Sequence, residues 1–236
     1  MTTVSLQKIA HDNYIYFKQL EGSNHIATFS SQLNLLETIK NYEIKKALDW
    51  GAGIGTISNL LSKNKDCQVI AYELNSWCRN QFTRNLVGKN SITLTNELPL
   101  DSDFDLIVID DDITRRQISK LLRSRRLKVV FVEGWRNKTV GNLSFGLLLK
   151  GKSSQFKRCA SRLLEFDLQG KNGTRVEKSG SYFIISAEKN SFPLALISWI
   201  NRLNKTNEFE EFLKEIYYWI ARTLAVRSRI DKLRKS

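Results

Sequence analysis

The segment DWGAGIG, residues 49–55, sets three glycines at alternate positions behind an acid that ends a short apolar run. A strand that runs into a glycine turn and then a helix can hold an anionic or polar ligand. The glycines let it approach the backbone, and free N–H groups point outward at the helix start. Three more acids end apolar runs: Glu73 after VIAY, Asp110 after LIVI and Glu133 after VVFV. Acids at strand ends fall where open α/β sheets collect their ligands, so these carboxylates should face one crevice. A dinucleotide fingerprint, G-x-G-x-x-G, would need its third glycine at position 56, which is Thr56, so that register fails.

These acids must be positioned by alternating strands and helices. SSQLNLLETIKNY places Leu33, Leu36 and Ile39 at helical spacing, with Ser30 or Ser31 as the N-cap. KKALDW is a first strand, TISNLLSKN a helix, CQVIAYE a second strand, and NSWCRNQFTRNLVG a helix closed by Gly88. SITLTN, FDLIVIDDD and KVVFVEGW supply the third to fifth strands, and ITRRQISKLLRSRR a strongly basic helix. Continuous apolar strands with intervening helices predict a parallel sheet covered on both faces. Two further strands, around residues 162–168 and 181–187, are joined by a polar loop and read as a terminal hairpin. After Asn190 the chain reads as basic amphipathic helix.

The 236 residues fit one large domain, or one domain with an appendage, and 42% hydrophobic residues are enough for a core. Lys and Arg outnumber Asp and Glu by 37 to 24, a formal charge of +13 that calls for an acidic partner or none. Cys67, Cys78 and Cys159 form no CxxC pair, so reduced thiols are expected. The N-terminal stretch lacks the basic start and apolar run of a signal peptide. No segment reaches the roughly 18 uncharged apolar residues of a spanning helix. A cytoplasmic protein is the expectation.

The pattern Asp49-x-Gly51-x-Gly53-x-Gly55 resembles the first motif of the class I S-adenosylmethionine-dependent methyltransferases. The resemblance covers about residues 30–188, with Glu73, Asp110 and the closing hairpin as its further marks. It implies an α/β, Rossmann-like, mostly parallel seven-stranded sheet with a terminal antiparallel hairpin. That domain would span 1–190, with 1–29 as a cap segment and 191–236 as a helical C-terminal extension. It implies S-adenosylmethionine as cofactor, bound by Asp49, Gly51, Ala52, Gly53, Gly55, Glu73, Leu74, Asn96, Glu97 and Asp110. Glu73 would take the ribose hydroxyls, and Asn96 and Glu97 stand where the family contacts adenine.

The resemblance also narrows the acceptor. Asp110-Asp111-Asp112-Ile113 lacks the prolines and aromatic ring that members methylating exocyclic amines carry after strand four. No Pro-Cys exists for cytosine C5 chemistry. An O-methyltransferase remains by elimination, with Asp110 as catalytic residue and Trp135 and Arg136 against a small-molecule, sugar or lipid-linked anionic acceptor. No metal is expected, because Glu133-Gly134-Trp135 replaces the Asp-Asn pair of the metal-dependent members. Asp110 to Asp112 can equally cap the basic helix. His11 and His25 are candidate bases or plain surface residues.

The basic helix from Ile113 to Arg126 holds six cations and no acid, which leaves RNA as an alternative acceptor. The C-terminal helix, with Trp199, Tyr217, Tyr218 and Trp219 beside basic residues, suits docking on the domain, a dimer mate or peripheral contact with an anionic membrane. A non-catalytic binding module on the same fold is the competing class.

Overall fold

The computed structural model describes residues 3–64, 66–99, 103–134, 136–149, 152–166 and 172–189. Trp135 and the C-terminal extension from 191 lie outside the described residues.

The chain begins with α1 (Thr3–Lys18), a 3₁₀ turn (Ser23–His25) and α2 (Phe29–Ile39). Then come β1 (Lys46–Trp50), α3 (Thr56–Leu61), β2 (Gln68–Tyr72), α4 (Ser76–Asn85), β3 (Ile92–Thr95) and β4 (Leu106–Ile109). It continues through α5 (Arg115–Leu121), β5 (Val129–Val132), α6 (Asn137–Leu149), β6 (Lys152–Phe166) and β7 (Asn172–Lys189). Strands pair in the order β3-β2-β1-β4-β5-β7-β6. The first five run parallel, while β7 pairs antiparallel with both β5 and β6. The order reverses between β1 and β4, which opens a crevice beyond their carboxyl ends.

Burial explains why these runs are strands. All four residues of β4 and of β5 are buried, as parallel strands covered on both faces should be. Alternate side chains feed two cores. Leu48, Trp50, Ile107, Ile109, Val130 and Val132 pack with α5 and α6. Ala47, Val69, Leu106, Val108, Val129 and Phe131 pack with α1, α2 and α3. Each buried Val, Leu, Ile or Phe among them contributes about 1.5–3 kcal/mol, so the sheet is the rigid support on which the loops stand.

A buried polar net ties the N-terminal helix to this frame. Asn13 on α1 donates to Gln32 Oε1 on α2 (2.8 Å) and to the Thr56 carbonyl (3.0 Å), while Asn59 on α3 donates to Asn13 Oδ1 (2.7 Å). Helix α3 starts at the glycine turn, so α1 helps fix that turn.

Several local expectations change. Helix α2 is capped by Thr28, whose side chain accepts from the Ser31 amide, so Ser30 and Ser31 lie inside the helix and are buried. Helix α4 ends at Asn85 rather than running to Gly88. Helix α5 is capped by Thr114 in a capping box with Gln117, which leaves Asp110, Asp111 and Asp112 without that role. The box wins because Thr114 stands at the Ncap position and the three acids precede it. The basic helix is also shorter than its charge run, ending at Leu121. Helix α6 was not expected. Val140, Leu143 and Leu147 give it a buried stripe, but Gly141 and Gly146 dilute the pattern. Gly146 is there for packing, since a Cβ would lie 2.6 Å from Ile118 Cγ2 on α5. The hairpin strands start earlier and are longer than the apolar segments that announced them. No helix among the described residues is long and apolar enough to cross a membrane.

Candidate cofactor and acceptor site

Three acids stand one residue beyond β2, β4 and β5, held there by continuations of the sheet ladder. The Glu73 amide donates to the Thr95 carbonyl (3.1 Å), that of Asp110 to Trp50 (2.8 Å) and that of Glu133 to Ile109 (2.9 Å). The sequence anticipates all three ends, because each acid closes an apolar run.

The glycine turn is shaped around them. The Gly51 and Ala52 amides both donate to the Tyr72 carbonyl (3.0 Å each), folding the turn over β2. Gly51 has φ +83, and a Cβ there would lie 2.8 Å from the Asp110 carbonyl oxygen, so only glycine allows this approach. Gly55, at φ +102, precedes α3, and a Cβ would lie 2.7 Å from Leu86 Cδ1. Gly53 differs: at φ +54 a Cβ would meet nothing within 4 Å, so its outer side is open.

Gly53 donates its amide to Glu73 Oε2 (2.8 Å), and the Asn75 amide donates to Glu73 Oε1 (2.7 Å). Each oxygen keeps lone-pair capacity for a further donor. Leu74 beside it is 63% exposed, a large apolar side chain on the crevice rim. Asn96 and Glu97 follow β3 and are exposed one strand further out. Asp49 is 1% exposed and faces α3, where its carboxylate accepts from Ser58 Oγ (2.6 Å). Burial raises its carboxyl to about 7; Ser58 opposes this, and the charges of Asp110 and Glu73 add to it. Asp49 therefore braces the turn from beneath. Ser58 is a partner that sequence reasoning passed over, and its place one turn into α3 was the available signal.

The second half of the crevice is a carboxylate pair with a guanidinium. Arg136 contacts Asp110 Oδ1 directly through an Nη atom. The neighbouring strand ends bring Glu133 beside Asp110. Burial raises both carboxyls and Arg136 opposes the rise at both, more at Asp110, which it touches; burial with the Asp110 charge pushes Glu133 up to about 7. Ser31, wholly buried on α2, lies near enough to Glu133 to favour its charged form, yet its Oγ forms no hydrogen bond within the protein. Arg136 Nε and Trp50 Nε1 are also buried without a partner. An unmet buried polar atom costs about 1–3 kcal/mol. Trp50 lies in the core on the α5 and α6 face, but Ser31 and Arg136 both lie near Glu133 and together mark a place for a bound group. Sequence reasoning missed Ser31, because it read that residue as a helix cap.

The basic helix loses part of its apparent charge to the fold. Arg126 forms a fork with buried Asp105 (3.0 Å to Oδ2), whose Oδ2 also accepts from the Lys45 and Lys46 amides. Arg115 donates to Asn142 Oδ1 (3.3 Å) and lies over the Phe145 ring. Arg116, Arg123 and Arg125 are exposed. His11 and His25 are exposed on the N-terminal segment.

No protein-family model matches the chain, and no curated protein matches its sequence. Solved structures do resemble it. A precorrin-6y C5,15-methyltransferase from Geobacter metallireducens is 17% identical with a TM-score of 0.56, over 70% of this chain and 91% of that one. A protein from Thermoplasma acidophilum is 14% identical with a TM-score of 0.52, over 75% of this chain and 96% of that one. A SAM-dependent methyltransferase from Agrobacterium tumefaciens is 14% identical with a TM-score of 0.52, over 72% of this chain and 66% of that one. The chain has the class I methyltransferase fold. An S-adenosyl group fits the residues present: Glu73 suits a ribose diol, and the open side of Gly53 leaves room beside it.

Proposed function

We propose that this chain is an S-adenosylmethionine-dependent methyltransferase that methylates an oxygen of a small-molecule, sugar or lipid-linked anionic acceptor. The observation that carries the cofactor half is the Gly53–Glu73 hydrogen bond, which locks a two-oxygen acceptor against an open glycine backbone. Glu73 takes the two ribose hydroxyls, Gly51, Ala52, Gly53 and Gly55 lie along the cofactor, and Asp49 braces the turn. Leu74 covers one face of the adenine, with Asn96 and Glu97 at its edge.

When bound, the cofactor supplies a methyl carbon activated by a positively charged sulfur. The chain's own task is then alignment and removal of the acceptor's proton. Asp110 stands beside the glycine turn, and with Arg136 it lines the acceptor side. Its contact with Arg136 orients that guanidinium. Transfer of a labelled methyl group from S-adenosylmethionine into a cell extract tests the activity. Silence across many extracts would favour a binding module on the same fold.

A second reading, an RNA acceptor, is favoured by the exposed Arg116, Arg123 and Arg125 beside α5. It calls for RNA binding that weakens steeply with salt. Salt-insensitive or absent binding would remove it.

A further inference from the structure

We infer that Glu133 takes the proton from a hydroxyl-bearing acceptor, with Ser31 Oγ and Arg136 Nε holding that hydroxyl in place. The inference rests on the methyl-transfer reading of the same site and assigns the proton within it.

Three observations meet here. Asp110 spends an oxygen on the Arg136 guanidinium, which holds that carboxylate against its own partner. Glu133 leaves the next strand, its amide fixed to the Ile109 carbonyl (2.9 Å), so its carboxyl opens onto the same crevice from the side away from β1. Ser31 Oγ and Arg136 Nε are both buried without a protein partner. One hydroxyl satisfies both, since its oxygen accepts from Arg136 Nε–H while hydrogen-bonding Ser31.

The electrostatics agree with this geometry. Glu133 faces Asp110 from β4, Ser31 from α2 and Arg136 beyond β5; Asp111 acts in turn on Asp110, and Asp112 on Arg136. Burial, with the Asp110 charge, pushes the Glu133 carboxyl up to about 7. A base poised near the working pH transfers protons most effectively. In the step itself the acceptor O–H bond breaks and the proton passes to Glu133. The oxygen's electron pair forms the O–CH₃ bond. The carbon–sulfur bond of S-adenosylmethionine breaks with its pair left on sulfur, giving the neutral thioether S-adenosylhomocysteine.

Two measurements on the full chain test this. With glutamate carboxyls labelled with carbon-13, one NMR signal should titrate near pH 7, vanish in Glu133→Gln, and move to lower pH in Asp110→Asn. Ser31→Ala should move it higher. Labelled methyl transfer from S-adenosylmethionine into a cell extract should rise with pH through an inflection near 7. Glu133→Gln should lose that inflection and about 100-fold in rate, while Glu133→Asp keeps the inflection. S-adenosylhomocysteine affinity should stay within about two-fold throughout, since the change acts on chemistry alone. A Glu133 midpoint near the ordinary 4.5, or a Glu133→Gln variant with wild-type rate and inflection, would overturn the assignment. Loss of S-adenosylhomocysteine binding in every form, wild type included, would instead overturn the cofactor reading beneath it.

Discussion

The Gly53 amide donates to Glu73 Oε2 across 2.8 Å, so the turn after β1 and the acid after β2 form one unit. Twenty residues separate them in sequence, and the parallel β1–β2 register brings them together. The carboxylate is thereby oriented before any ligand arrives, which lowers the ordering cost of binding.

Gly51 and Gly53 should respond differently to alanine. Gly51→Ala drives a Cβ to 2.8 Å from the Asp110 carbonyl at positive φ, so stability should fall by about 2–3 kcal/mol. Gly53→Ala meets no protein atom and should cost only about 1 kcal/mol, while weakening S-adenosylhomocysteine more than it weakens the fold. Urea midpoints and calorimetry on the two variants separate these effects. Equal stability losses would contradict the open-side reading of Gly53.

Asp49 gives the fold a pH dependence with a definite sign. Its folded carboxyl is raised to about 7 from the ordinary 3.8, so the folded state binds the extra proton between those values. Stability from this group is therefore present at low pH and is lost as pH rises from about 4 to 7, by at most on the order of 4 kcal/mol. Asp49→Asn should flatten that part of the profile. Ser58→Ala should extend the loss to higher pH, because the Ser58 hydroxyl favours the charged form. Urea midpoints between pH 4 and 8 measure both.

Strands were legible where burial on both faces leaves an uninterrupted apolar run, as in β4 and β5, and the acids that end such runs were legible with them. Helix α6 was not, because its two glycines serve close helix packing and conceal the period. Caps were misread where two polar residues competed: geometry chose Thr28 over Ser30 and Ser31, and Thr114 over three aspartates. The Arg136–Asp110 contact spans 26 positions and the Arg126–Asp105 fork 21, distances over which sequence spacing carries no signal. Ser31 reads as a cap in sequence and becomes a site residue only when α2 packs on the sheet and brings it near Glu133.

The cations around α5 divide into structural and surface groups. Asp105 is 1% exposed and held by Arg126 and two backbone amides, so Arg126→Ala should cost about 1–3 kcal/mol. Arg123→Ala and Arg125→Ala should change stability by less than about 0.5 kcal/mol. If RNA is a partner, only the second pair should flatten the salt dependence of binding without unfolding the protein. Chemical denaturation beside filter binding at several salt concentrations distinguishes the groups.

The central claim is that Glu73, locked to the Gly53 amide, binds the ribose of an S-adenosyl cofactor. Calorimetric titration of S-adenosylhomocysteine into the wild-type chain and into Glu73→Ala tests it most directly. Losing a bidentate, charge-assisted contact should weaken the variant by at least about ten-fold, while the fold loses only about 1–2 kcal/mol. A wild-type protein that binds no S-adenosylhomocysteine, or a Glu73→Ala variant that binds it equally well, would contradict the account.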